Sequence, residues 1–247
     1  MTRIALTPFL AAIAAILLSG CTAPSPSFEY PPASPPLRQA GTGVTPSHSV
    51  TVENFRDFRG ESNDLDPLYL YFIPLCPFGY FDYERPEDGS WYMGLNQYRF
   101  TPGRDLSRAA AISLKHANLF TQVMTEADPR AAQSDYMLRG AVMSTYYYGR
   151  TFSYGLSFEG AWLWLIGAPA GTALNRLALC LWLVDRKTGQ TVWVYGFERE
   201  DYLTLGLYYR NDREMSLYPR LMAEGMNDAV RELEKFLAPP ASRKSQP

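Results

Sequence analysis

The side chains that most often carry catalysis are sparse in this chain of 247 residues. It has two histidines, His48 and His116. General acid–base chemistry needs a suitably titrating group within hydrogen-bond reach of the proton it moves. His48 stands where a proline-rich stretch ends, and His116 falls on an amphipathic helical pattern, where it reads as a partly exposed helix residue. Carboxylate pairs come next. Glu198 with Glu200, and Glu87 with Asp88, place two acids close together as acid–base chemistry requires, but neighbouring acids in a polar stretch are also the ordinary make-up of a solvated surface. Asp57, Asp135 and Asp185 each begin or follow an extended run, where turn capping accounts for them. No Gly-x-Ser-x-Gly elbow, phosphate-binding glycine loop or paired-histidine metal motif occurs in the sequence. The expectation is a protein without catalytic residues, metal site or bound cofactor. A cell-envelope hydrolase working through Glu198 or Asp135 is the minor alternative.

Thiol chemistry is better marked. Of the three cysteines, Cys21 closes the run Leu18-Ser19-Gly20-Cys21. Ahead of it lie the positive Arg3 and the apolar stretch Ile4 to Leu18, broken only by Thr7 and Pro8. That stretch is fifteen residues long, which suits a signal-peptide core and is short for a transmembrane helix. The small Ser19-Gly20 pair before the cysteine is similar to the lipobox of bacterial lipoproteins. The resemblance implies that residues 1–20 are removed, that the Cys21 thiol is diacylated and that the new amino terminus is acylated, so the one attached group expected is covalent lipid on Cys21. Thr22 in place of Asp fits an outer-membrane address facing the periplasm. Such a compartment permits disulfides. Cys76 and Cys180 are one possible pair, although Cys180 also sits in the apolar run Leu177 to Val184, where a buried free thiol is equally natural.

Composition bounds the partners. The chain carries 23 basic and 25 acidic residues, and removal of residues 1–20 takes away Arg3 alone, leaving a net charge near −3. That balance offers no footprint for nucleic acid. Aromatics make up 14% and charged residues only 19%. An exported chain so composed is expected to press some apolar surface against a protein or a lipid surface.

The elements that must position these groups read as follows. Residues 21–47 form a lipidated, Pro/Ser-rich linker, an extended and disordered tether. Residues 48–240 form a single domain, and 241–247 a disordered tail. Val50 to Phe55 has strand character, followed by a polar turn at Arg56 to Gly60. Leu68 to Ile73 is expected to be a second extended run, stopped by Pro74. Pro74 to Phe100 is a long irregular excursion. Leu106, Ala109, Ala110, Ser113, Leu114, Ala117 and Phe120 mark a helix, with Thr101-Pro102 or Asp105 at its start. Thr121 to Met124 is a short strand, and Tyr136, Leu138, Gly140 and Val142 give the core face of a longer one. Leu177 to Asp185 and Gln190 to Phe197 flank Arg186-Lys187-Thr188-Gly189 as a hairpin, with Gly189 at positive φ. Its first strand is apolar on both faces and so expected to lie centrally. A closing helix runs over Tyr218 to Leu237 until Pro239-Pro240. The class is α+β: a small mixed sheet with two main helices packed on one face.

Several of these segments carry a further resemblance. Val50 to Phe55 with Arg56-Asp57, Leu119-Phe120 with Val123, Ser134 to Gly140, and Val184-Asp185 with Thr188-Gly189 and Val192-Trp193 follow an order that resembles exported α+β domains of three kinds. These are curli-secretion-channel subunits, activator lipoproteins of penicillin-binding proteins, and the amino-terminal domain of the Tol-system propeller protein. The resemblance implies a non-enzymatic protein that binds partners or builds an envelope assembly. Two insertions, about residues 74–100 and 146–172, depart from that pattern.

The insertions carry the candidate contacts. Phe152, Tyr154, Leu156 and Phe158 alternate with small polar residues, as one strand of a membrane β-hairpin does. By analogy with the curli-type channel, a hairpin around 150–172 would make the chain a homo-oligomeric secretion channel subunit. In the competing reading the chain is a membrane-anchored lipoprotein that binds or scaffolds a component of an envelope machine. Phe78, Tyr80, Phe81, Phe152, Tyr154, Phe158, Trp162 and Trp164 would then meet a protein partner, a second copy or the membrane interface.

Overall fold

A computed structural model describes residues 27–41, 45–88, 98–210 and 215–238. Cys21 and the carboxy-terminal tail lie outside these residues, as does most of the second half of the 74–100 excursion. The described chain folds around one nine-stranded mixed sheet. Its spine is a long hairpin. Strand β8 (Pro169–Asp185) pairs along its whole length with β9 (Thr191–Gly206). On its other side β8 is shared. Its second half pairs with β6 (Tyr136–Ser144), and its first half with β7 (Tyr147–Phe152). Beyond β6 lie β1 (Ser49–Val52) and β5 (Gln122–Thr125), both parallel to their neighbours, with the two-residue β2 (Arg56–Asp57) also on β6. Beyond β7 lie β4 (Phe78–Tyr83) and the short β3 (Asn63–Asp64), both antiparallel.

Alternation on β8 explains its place. Leu177, Leu179, Leu181 and Leu183 are buried on one face, whereas Ala178, Cys180 and Trp182 are half-buried on the other. The leucine face receives helix α1 (Pro102–Ala117) and helix α3 (Leu217–Leu237). In α1, Leu106, Ala110, Leu114 and Ala117 are buried, and the small alanines allow close approach to the sheet. The Asp105 carboxylate accepts the Thr101 N–H at 2.7 Å, and Asn118 ends the helix at positive φ. In α3, Gly225 is where the Phe197 ring presses against the helix backbone, a space that a Cβ would occupy. At the hairpin turn, Gly189 has φ +69°, and the Asp185 Oδ1 accepts the Lys187 and Thr188 N–H groups. The α+β class and the two helices on one face are thus as the sequence indicates.

Two expectations of secondary structure are corrected, and two alternatives left open by the sequence are narrowed. Leu68 to Ile73 is not a strand: Asp66–Phe72 forms 3-10 turns, begun by Pro67. The 74–100 excursion is not irregular throughout, since it supplies β4, which pairs with β7 from the other insertion. The membrane hairpin of the alternative reading, around 150–172, lacks its strands over residues 153–168, although β7 and β8 on either side pair antiparallel. Strand β7 stops at Phe152 because Tyr154, Gly155 and Ser157 all adopt positive φ, and Ala161–Leu165 then forms the short helix α2. Finally, Cys76 and Cys180 are both free thiols. Cys76 lies beside Ser153 at the start of β8, whereas Cys180 sits nine residues beyond Gly171, about 30 Å along that strand and far past disulfide reach.

The described part of the proline-rich segment is not the disordered tether expected of residues 21–47 but a strap packed on the domain. Residues 27–41 run across α1 and α3, with Phe28 and Tyr30 packed on the core. The Tyr30 hydroxyl meets Ser113 Oγ at 2.5 Å, and burial pushes that phenol up to about 12 against the opposing hydrogen bond. Arg38 pairs with Glu234 at 3.1 Å and Ala40 N–H donates to the Ala117 carbonyl. The Arg38 and Gly41 N–H groups donate to Asn227 Oδ1 and Glu234 Oε1.

Candidate interaction site

Of the carboxylates singled out for chemistry, Asp57, Glu87, Asp135, Asp185, Glu198 and Glu200 are engaged in holding the fold. Asp135 accepts both the N–H and the hydroxyl of Ser49, which lowers its pKa and fixes β1 beside β6. Glu198 and Glu200 both face Arg176, at 3.3 and 3.0 Å. His48 packs edge-on to Tyr136, and His116 lies exposed on α1. Two open clefts flank α1, of about 270 and 290 Å³. The first is walled by the strap at Phe28 and Tyr30, the second by Asn54, Arg104, Ser107 and Glu126. Among the described residues, no group of three His, Cys, Asp or Glu side chains is placed to hold a metal ion.

Asp57 and Glu87 converge instead on Arg59, whose side chain is 1% exposed. Its Nε and Nη2 donate to Asp57, both terminal nitrogens donate to Glu87, and Nη1 also reaches the Thr145 hydroxyl at 2.6 Å. Every guanidinium N–H thereby finds an acceptor. Burial works against the charge, but the hydrogen bonds from the two carboxylates outweigh it and hold Arg59 well above its ordinary pKa. The side-chain hydrogen bond from Arg59 brings Asp57 down to about 2. Thr145 is the junction between β6 and β7, so this cluster joins the half of the sheet under the helices to the half built from the insertions.

The eight candidate contact residues fall into three groups. Phe81 and Trp164 are core residues, not contacts. Phe81 packs on Tyr83 and Tyr147, and its ring occupies the space left by the missing side chain of Gly149. Trp164 is 7% exposed against Tyr71 and Ala170, its indole N–H donating to the Phe152 carbonyl at 3.1 Å.

Phe78, Tyr80 and Phe152 lie half-buried on the face of the sheet opposite α1 and α3, because alternation on β4 sends Gly79, Phe81 and Tyr83 inward. There they meet Arg150, an exposed residue whose guanidinium carbon lies 5.2 Å from the centroids of both the Phe78 and the Tyr148 rings. The Arg150 Nε donates to the Tyr148 hydroxyl at 3.1 Å, and Tyr80 packs on Tyr148 at 5.7 Å. Among the described residues no carboxylate pairs with Arg150. The result is a cation held in an aromatic frame with its outer donors facing solvent.

Tyr154, Phe158 and Trp162 form the third group, at the open end of the long hairpin. Phe158 packs on Phe72 at 4.9 Å, and Leu75 N–H donates to the Gly155 carbonyl. Tyr208 donates to the Leu165 carbonyl. This closes a continuous surface on which Leu75 is 90%, Ile166 80%, and Phe158 and Trp162 each 69% exposed. Sequence reasoning missed Arg150 and Tyr148, for which the two-residue alternation of β7 was the available signal. It also missed Leu75, Ile166 and Tyr208, which no periodicity marks.

No protein-family model matches the chain, and no curated protein matches it by sequence. The resemblances drawn above therefore stand on the quoted residues alone. Among solved structures, the chain is similar to a PelC dodecamer subunit from Paraburkholderia phytofirmans, at 13% identity over 78% of this chain and 92% of that one, with a TM-score of 0.40. It is also similar to a DUF330 protein from Xanthomonas campestris, at 11% identity over 86% of this chain and 98% of that one, with a TM-score of 0.39.

Proposed function

We propose that this chain is a non-catalytic lipoprotein of the bacterial envelope, anchored through Cys21, whose open sheet face binds a protein component of an envelope machine. The observation that carries the binding role is the Arg150 frame. An arginine already stacked between Phe78 and Tyr148 loses little side-chain freedom on binding, and its free donors suit a partner's carboxylate in two-pronged geometry. Aromatic and arginine side chains are the usual anchors of protein interfaces. The engaged state of Asp57, Asp135, Glu87, Glu198 and Glu200 supports a non-catalytic role, because each is committed to a structural partner.

A photo-crosslinking residue in place of Tyr80 tests this in intact cells. The expected result is one discrete protein adduct that disappears when Arg150→Ala is added and is only weakened by Arg150→Lys. Clean monomers with no adduct, or an adduct indifferent to Arg150, would overturn the binding role.

A further inference from the structure

The aromatic end and the strap, considered together, determine which way the domain faces. From Pro67 to Phe81 the sequence has no charged residue, and from Thr151 to Asn175 it has only Glu159. These two stretches build the end on which Leu75, Phe158, Trp162 and Ile166 are exposed. The opposite end, at the β8–β9 turn, carries Asp135, Asp185, Arg186 and Lys187.

The strap gives the reach of the anchor. Phe28 stacks on Phe100 at 5.2 Å, Phe100 on Tyr218 at 5.7 Å, and the Tyr218 hydroxyl donates to the Thr145 carbonyl at 2.7 Å. The neighbouring Tyr146 carbonyl accepts the N–H of Arg176, so this chain of contacts links the strap to the middle of β8. Cys21 precedes Phe28 by seven residues, a reach of at most about 25 Å. Along β8 from Arg176, the open end at Pro169 lies about 23 Å away and the turn at Arg186 about 33 Å. A lipid on Cys21 therefore has the reach to share a plane with the aromatic end, the nearer of the two ends along β8.

We propose that the aromatic end is a membrane-interface contact, entering the headgroup region of the leaflet that holds the Cys21 lipid, so that the β8–β9 turn points away from the bilayer. This rests on the lipoprotein reading. Exposed tryptophan and tyrosine beside aliphatic residues, with almost no charge, suit that region, where amphipathic rings settle at headgroup depth. A bilayer rather than a protein is the occupant favoured by the short leash, which keeps lipid within reach of this end.

The test is full-length, processed chain in vesicles of phosphatidylethanolamine and phosphatidylglycerol, carrying a photo-crosslinking residue at Ile166, Trp162 or Lys187. Lipid adducts several-fold more abundant at Ile166 and Trp162 than at Lys187 are expected. Adducts joining two copies of the chain, or equal lipid yields at Lys187, would overturn the contact. Because Ile166 is 80% exposed, Ile166→Asp leaves the core alone. Residues 22–247, exported behind a leader without a lipobox, should float with the same vesicles and lose that binding on Ile166→Asp, whereas unchanged flotation counts against the contact. Mass spectrometry of the purified chain separates the two readings. A Cys21 without acyl groups overturns the lipoprotein reading while lipid adducts at Ile166 still support the contact; an acylated Cys21 without such adducts overturns the contact alone.

Discussion

At its turn end the β8–β9 hairpin is roofed by two long helices and rimmed with charge, whereas its open end is roofed by 3-10 turns and a five-residue helix and rimmed with exposed aromatic and aliphatic side chains. The strand itself hardly changes between them. Ala173 and Asn175 continue the buried side begun by Leu177 to Leu183. What differs is the cover. Helices bury a regular stripe and leave a polar outer face. The open end is covered by short pieces from two distant stretches of chain, held together by the pairing of β4 with β7, by Tyr71 and Trp164 meeting beneath them, and by contacts such as Phe158 on Phe72. Such pieces cannot hide their own outer surfaces, and the exposed apolar patch is the result.

The largest effect on this contrast is expected at the joint between the halves. Arg59→Ala leaves Asp57 and Glu87 without their shared cation. Because Asp57 is one-third exposed and keeps Arg85 at 3.4 Å, the loss falls at the lower end of the about 3–5 kcal/mol typical of breaking a buried pair. The two halves should then lose amide protection in separate steps in native-state hydrogen exchange. A single transition at the wild-type midpoint would show that Arg59 does not couple them.

A smaller effect, confined to the open half, is expected from Gly149→Ala. The new methyl would sit 2.5 Å from the Phe81 ring, and overpacking of this sort costs about 1–3 kcal/mol. Faster exchange in β4 and β7, with β1 and β5 unchanged, is the pattern to look for. Equal loss across the whole sheet would mean that the halves are one unit.

Acid should act more gently, again at the joint. The Asp57 carboxyl is held at about 2 in the fold against an ordinary 3.8. A lowered folded pKa contributes stability that is present above the unfolded value and lost as pH falls through the folded one. Urea midpoints should therefore fall between about pH 4 and pH 2, and less so in Asp57→Asn. An identical slope in that variant would place the acid sensitivity elsewhere.

Legibility follows the same division. The turn half was readable because its elements obey simple periods. The i, i+3, i+4 stripes from Leu106 to Ala117 and from Tyr218 to Leu237 gave both helices, and the alternating leucines of β8 gave its central place. The open half was not, because apolar runs there fit more than one period. Leu68 to Phe72 is apolar on both faces and suits a strand or a 3-10 turn, and only Pro67 argues for the turn. Phe152 to Phe158 alternates as a strand does, yet three residues at positive φ fold it back on itself, two of them not glycine. Of the candidate contacts, Phe158 and Trp162 are on the surface as expected, while Phe81 and Trp164 are drawn into the core by their places in β4 and α2. Arg150 was overlooked because a lone arginine shows its meaning only when the strands bring Phe78 and Tyr148 to either side.

The strap bears on the order in which the fold closes. Arg38 and Gly41 hold residues 189 to 196 positions later in the chain, on α3. The contacts that the same strap makes with Ser113 and Ala117 on α1 span far fewer residues. Closing the longer loop costs more chain entropy and favours a later step, so docking on α3 is the event that ties the first described residues to the last helix.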